Sequence, residues 1–157
     1  MIGYPTIEVQ VDHDFDRARR RAYARQVLKR LRRSREPGRL LSFDEAKASL
    51  AEWSQVYRGL RLVEVDKIVG SVGRHKEFDS SFLPRRASVE TRWKHIDRAF
   101  HRAENLPPVS LYEVGGLYYV RDGNHRVSVA RFHGVREIEA EVVQVRGSRK
   151  STHGAAA

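Results

Sequence analysis

Apolar and polar positions change their spacing several times along this chain, and each change marks an element. In 15–34, Phe15, Ala18, Ala22, Val27, Leu28 and Leu31 recur at roughly helical intervals, which predicts an amphipathic helix. Residues 1–14 read as irregular, with a short strand at 7–11. Glu36-Pro37-Gly38 breaks the helix. Ser42-Phe43-Asp44-Glu45 is a capping box opening a second helix, whose apolar face would be Phe43, Ala46, Leu50, Trp53 and Tyr57. Gly59 would stop it, and Trp53 and Tyr57 read as core. In 60–69, Leu62, Glu64 and Asp66 alternate with Val63 and Val65 before the apolar pair Ile68-Val69, a strand pattern.

Farther on, Val89, Trp93, Ile96, Phe100 and Ala103 line one face of a helix over 88–105. His95 and His101 lie off that stripe and read as surface. They lack the i, i+4 spacing of a shared metal, so no metal ligands are assigned. Two strands, 109–114 and 117–120, flank Gly115-Gly116 as a hairpin. A short helix over 126–133 ends at Gly134, and 138–145 alternate as a final strand. The expected fold class is α+β, a compact domain with a small mixed sheet flanked by helices. It would carry a basic, helical N-terminal extension at 1–59, a globular part at 60–146 and a disordered tail at 147–157.

Composition narrows the function classes. Forty per cent apolar residues suffice for a core, and no apolar run reaches the length of a membrane span. The first five residues lack a hydrophobic signal segment. The absence of cysteine excludes disulfides, thiolate metal sites and cysteine catalysis, and makes a cytoplasmic location the default expectation. The formal charge of +10 predicts attraction to polyanions, nucleic acid first. That charge is concentrated in the first helix, on Arg17, Arg19, Arg20, Arg21, Arg25, Lys29, Arg30, Arg32 and Arg33. Two readings stand equal: an arm on a phosphate backbone, or a solvated helix docked by its apolar stripe. A membrane surface ranks behind both, because the alanine-rich stripe has little bulk to insert.

The stretch 118–130, Tyr-Tyr-Val-Arg-Asp-Gly-Asn-His-Arg-Val-Ser-Val-Ala, carries the densest chemistry. It reads as a strand, a glycine turn and a helix start. A helix N-terminus offers unpaired N–H groups and partial positive charge. Gly123 permits close approach, and Arg126 adds a fork of donors, so the turn suits phosphate. The competing reading is a solvated turn in which Asp122 caps the helix. His125 would donate to a phosphate oxygen or transfer protons near neutral pH. Glu77 and Asp79 are candidates for a general base or Mg²⁺ ligand.

Asp122-Gly123-Asn124-His125-Arg126, followed by a small-residue helix, resembles the central motif of the ParB/sulfiredoxin superfamily. ParB proteins carry Gly-Glu-Arg-Arg there, sulfiredoxins Gly-Cys-His-Arg and free-serine kinases Asp-Gly-His-His-Arg. Residues 62–69 resemble the opening strand of the ParB N-terminal domain, and 70–79 the box after it. The resemblance spans roughly 60–146. It implies a ParB/sulfiredoxin-like fold that binds a nucleoside tri- or diphosphate, CTP or ATP, with Mg²⁺. Asp122, Gly123, Asn124, His125 and Arg126 would hold the phosphates, with Ser71, Gly73 and Arg74 as further contacts. Asn124 stands at the sulfiredoxin thiol position, which removes that activity. The implied function is a nucleotide-dependent DNA-binding or regulatory protein, with slow hydrolysis and homodimerisation as further implications. Two alternatives remain open. One is a small-molecule kinase with Glu77, Asp79 or Glu64 as base; the other is a non-specific DNA-binding protein without nucleotide binding.

Overall fold

The computed structural model describes residues 3–33 and 38–151. Its order is α1 (Ile7–Arg32), β1 (Leu41–Ser42), α2 (Phe43–Ala48), β2 (Leu50–Glu64), β3 (Ile68–Ser71), α3 (Glu90–His101), β4 (Val109–Val114), β5 (Leu117–Asp122), α4 (Asn124–Phe132) and β6 (Glu137–Arg149). The six strands form one mixed sheet in the order β1-β3-β5-β4-β6-β2. β3 runs parallel to both β1 and β5, and β4 parallel to β6. The β4–β5 hairpin and the β2–β6 pair are antiparallel. This is the expected α+β class.

Alternation along the strands divides the apolar residues between two faces. Val109, Leu111, Val120, Ala140 and Val142 face α1, α3 and α4, where they join Phe15, Trp93 and Phe132. Tyr119 and Val145 face the other way, beneath Phe43 of α2 and beside Tyr112. Gly115 and Gly116, with φ of 60° and 84°, close the β4–β5 hairpin at the pair Val114↔Leu117, which is the turn the two glycines suggest.

Three expectations are corrected. The 7–11 segment is helical: Thr6 caps α1 through its hydroxyl, which accepts from Val9 N–H, and Val11 is buried on the same face as Phe15 and Ala18. The capping box does open a helix, with Ser42 Oγ accepting from Glu45 N–H, but α2 ends at Ala48. Residues beyond it pair with β6 over the whole length of β2, so Trp53 and Tyr57 lie exposed on a sheet face rather than in the core. Gly59, at φ 74°, sits at a register shift of that pair and is not a helix stop. Residues 50–59 are strand, and Phe15, Ala18 and Ala22 of α1 belong to the main core. Strand β6 runs to Arg149. The break at Glu36-Pro37 and the tail 152–157 lie outside the described residues. Among the described residues, no helix is long and apolar enough to cross a membrane.

Candidate functional site

β3 and β5 are parallel neighbours, so the segments leaving their C-terminal ends emerge side by side. Such an edge is where open α/β sheets bind ligands. After β3 the chain bends at Ser71, whose buried hydroxyl donates to Val120 O and accepts from Arg74 N–H, both at 3.4 Å. After β5 it turns at Gly123 and enters α4. The two turns and the outward face of α3 enclose a cavity of about 430 Å³, lined by Arg74, Thr91, Arg92, His95, Ile96, Asp122, Gly123, Asn124, His125 and Arg126.

Gly123 adopts φ 104°, and an added Cβ would stand 2.7 Å from Val109 Cγ1. Both the torsion and the contact require glycine. No side chain caps α4, and the first N–H to bond backwards is that of Val127, onto Gly123 O at 3.0 Å. The preceding amides have no intrahelical partner, as at any helix start. Two buried side-chain atoms are without hydrogen-bond partners here: Asn124 Oδ1 and His125 Nε2. Buried polar atoms are normally satisfied, so this pair marks a place suited to a polar ligand.

Electrostatics favour an anion. Burial, with Arg74 and Arg92 nearby, lowers the His125 pKa to about 4, and Glu77 only partly opposes this. The imidazole is thus neutral at physiological pH and is not poised to titrate there, in contrast to the sequence expectation. Its ring meets Phe78 edge-on at 5.4 Å, which fixes its plane. Arg126 is oriented by the protein: Nη1 donates to Pro107 O and Pro108 O at 2.5 and 3.0 Å, and Nη2 to Asp122 Oδ2 at 2.9 Å. Much of its donor fork is therefore occupied in holding the 107–108 segment.

The sequence-predicted residues separate into groups. Arg74, Asp122, Gly123, Asn124, His125 and Arg126 meet at the cavity. Ser71 is completely buried behind it, as a brace for the Arg74 turn. Gly73 adjoins open space and has no positive φ, whereas a Cβ at Gly70 would collide with Leu41 O and the Tyr119 ring. The close approach thus belongs to Gly70 and serves sheet packing. Glu77 is gripped by Arg74 Nη1 at 3.0 and 3.2 Å. Asp79 points elsewhere, toward α1. Its Oδ1 accepts from the N–H groups of Ser81 and Leu83 at 2.8 and 3.0 Å, and Oδ2 lies 3.5 Å from Arg25 Nε. Burial raises its pKa. Asp79 lines a second cavity of about 390 Å³ with Arg25, Lys29, Arg30, Arg33 and Arg85.

Arg92 was missed in the sequence. Trp93 faces the core, so its neighbour Arg92 and His95, three residues on, project together from α3 toward the cavity. A second miss is His101. It is not a free surface side chain but contacts Asp14 at 2.7 Å. The basic helix is also partly committed to the protein itself. The guanidinium groups of Arg17 and Arg21 stand 5.9 and 4.8 Å from the Phe132 ring centroid. Arg19 donates to Arg85 O, and Lys29 to Ser80 Oγ at 3.4 Å. Arg20, Arg30, Arg32 and Arg33 remain exposed.

No family model matches the chain, and no curated protein is matched by its sequence. Among solved structures, the crystal structure of sulfiredoxin from Arabidopsis thaliana is similar, at 19% identity and a TM-score of 0.40. The match covers 57% of this chain and 85% of that one.

Proposed function

We propose that the chain binds a nucleoside di- or triphosphate, of the CTP or ATP class, with Mg²⁺, and acts as a nucleotide-dependent DNA-binding or regulatory protein. One observation carries the reading: the uncapped start of α4, with Asn124 and His125, lines a cavity together with Arg74, Arg92 and Arg126, and Asn124 Oδ1 and His125 Nε2 have no hydrogen-bond partner. Helix-end amides and arginines suit phosphate oxygens. Neutral His125 can present an N–H to a phosphate without a protonation step. Asn124 Oδ1 is an acceptor, which suits a ribose hydroxyl or a water on the cation. Asp122 is the carboxylate at the cavity that could face Mg²⁺, and the ion would screen charge between phosphates. The cavity volume falls within the range usual for small-molecule sites.

The kinase reading has less support. Its leading base, Glu77, is paired with Arg74 and does not line the cavity, and Asp79 faces α1. Glu64 pairs with Lys67 at 3.6 Å on the exposed end of β2. The exposed cations of α1 fit the nucleic-acid part of the proposal.

Calorimetric titration with CTP, ATP, ADP and GTP, each with Mg²⁺, tests it. Saturable binding of at least one nucleotide is expected. Arg92→Ala and Arg74→Ala should each weaken it tenfold or more, since hydrogen bonds to charged groups contribute about 1.5–3 kcal/mol. Failure of all four nucleotides to bind would overturn the proposal.

A further inference from the structure

Away from the turn cavity, three elements bring together a set of side chains that the nucleotide reading does not use. Asp14 comes from α1, Asp97 and His101 from successive turns of α3, and His133 from the residue that ends α4. One ligand atom from each lies within 4.8 Å of the other three. His101 Nε2 is 2.7 Å from Asp14 Oδ2 and 3.6 Å from Asp97 Oδ2. His133 Nε2 is 2.6 Å from Asp97 Oδ1 and 3.8 Å from Asp14 Oδ2. Both imidazoles therefore aim the same nitrogen at the same two carboxylates.

Asp97 is fully buried, and its Oδ2 accepts no hydrogen bond. A buried carboxylate oxygen without a partner is costly, and a second carboxylate beside it adds repulsion. A divalent cation placed among these four groups would offset the charge of the two carboxylates. The His133 ring is held in place by stacking on Phe100, with centroids 4.0 Å apart and planes 12° from parallel. The i, i+4 spacing of Asp97 and His101 puts both on one face of α3, a donor pair hidden from a search for histidines alone.

We propose that Asp14, Asp97, His101 and His133 form a binding site for a divalent first-row transition metal, with Zn²⁺ the best match to two nitrogen and two oxygen donors. Zn²⁺ takes four such ligands in tetrahedral array at about 2.0–2.2 Å, and mixed imidazole and carboxylate sets favour it over Mg²⁺ or Ca²⁺. Each Nε2 stands 2.6–2.7 Å from a carboxylate oxygen; the cation would enter between them, any proton on the nitrogen passing to solvent and the ligands spreading slightly around the ion. The site's position gives its role. It pins the basic helix α1 to α3 and α4, on the same side of the sheet as the main core.

The test uses the full chain stripped of metal with a chelator. Calorimetric titration with Zn²⁺ should show one equivalent bound per chain, and the melting temperature should rise with added Zn²⁺. Co²⁺ should develop the visible absorption of a low-coordinate nitrogen–oxygen site. His101→Gln, His133→Gln and Asp97→Asn should each weaken Zn²⁺ binding at least tenfold, with folding checked by circular dichroism. The Co²⁺ spectrum of the unaltered chain decides the matter even if a variant does not fold. A spectrum of fully hydrated Co²⁺, a lack of stoichiometric Zn²⁺ binding, or equal Zn²⁺ affinity in folded His101→Gln and His133→Gln variants would overturn the proposal.

Discussion

Trp93 Nε1 donates to Ser128 Oγ at 2.9 Å, and the same hydroxyl donates to Phe82 O. Both residues are completely buried. One serine thus links α3, α4 and the 78–84 segment, and it stands on the helix that carries the phosphate turn. Ser128→Ala leaves an indole N–H and a carbonyl without partners. The expected loss is about 1–3 kcal/mol of stability, read as a lower urea midpoint at unchanged slope. A change of a few tenths would show that the indole has another acceptor.

How much of this was legible beforehand depends on where the information lies. The hairpin glycines, the Ser42 cap and the Gly123 turn are local rules, and all appear where the sequence places them. Residues 50–59 fit helical spacing through Leu50, Trp53 and Tyr57, whereas 60–64 already read as strand. What decides against a helix is non-local: β6 pairs along this strand from one end to the other. Helix propensity is a weak prior against such pairing. The cavity was half legible for the same reason. Residues 122–126 are contiguous, but Arg92 joins them only through the packing of α3 on α4. The Asp14, Asp97, His101 and His133 cluster draws on three elements, and of these only the Asp97–His101 pair has a local spacing.

Gly123→Ala should damage both fold and site. At φ 104° an alanine is strained, and its Cβ would press on Val109 at 2.7 Å. The expected cost is about 1–3 kcal/mol, with loss of anion binding because the α4 amides are re-aimed. Chemical denaturation and nucleotide titration on the same sample would check both. Full binding with unchanged stability would exclude the turn as a cradle. Gly73→Ala is the control, since its Cβ meets nothing within 4 Å.

The pH dependence of stability reports on His125. Its folded pKa, about 4, lies below the ordinary histidine value near 6.5. Between those values the unfolded chain binds more protons than the folded one, so acidification favours unfolding. The contribution is fully present above about pH 6.5 and is lost as pH falls toward 4. Asp79 and Asp97 have raised pKa values and act with the opposite sign, so the comparison must be between proteins. From pH 7 to pH 5, the unaltered protein should lose more stability than His125→Gln. Parallel curves would mean that the imidazole is solvated.

The cations of α1 should divide into two classes. Arg17 and Arg21 lie over Phe132, and Arg25 faces Asp79, so glutamine at these positions should lower the melting temperature. Arg20, Arg30 and Arg32 are exposed, and their replacement should leave it unchanged. If α1 lies along DNA, the triple variant Arg20→Gln, Arg30→Gln, Arg32→Gln should bind a random duplex more weakly. Its plot of log affinity against log salt should be shallower by roughly 2–3, because each phosphate left without its arginine takes about 0.9 from the slope. The measurement is fluorescence anisotropy from about 50 to 200 mM salt, a range over which neutralising several phosphates changes affinity by orders of magnitude. An unchanged slope in a folded triple variant would assign the exposed arginines to solvent and leave α1 as a docked helix.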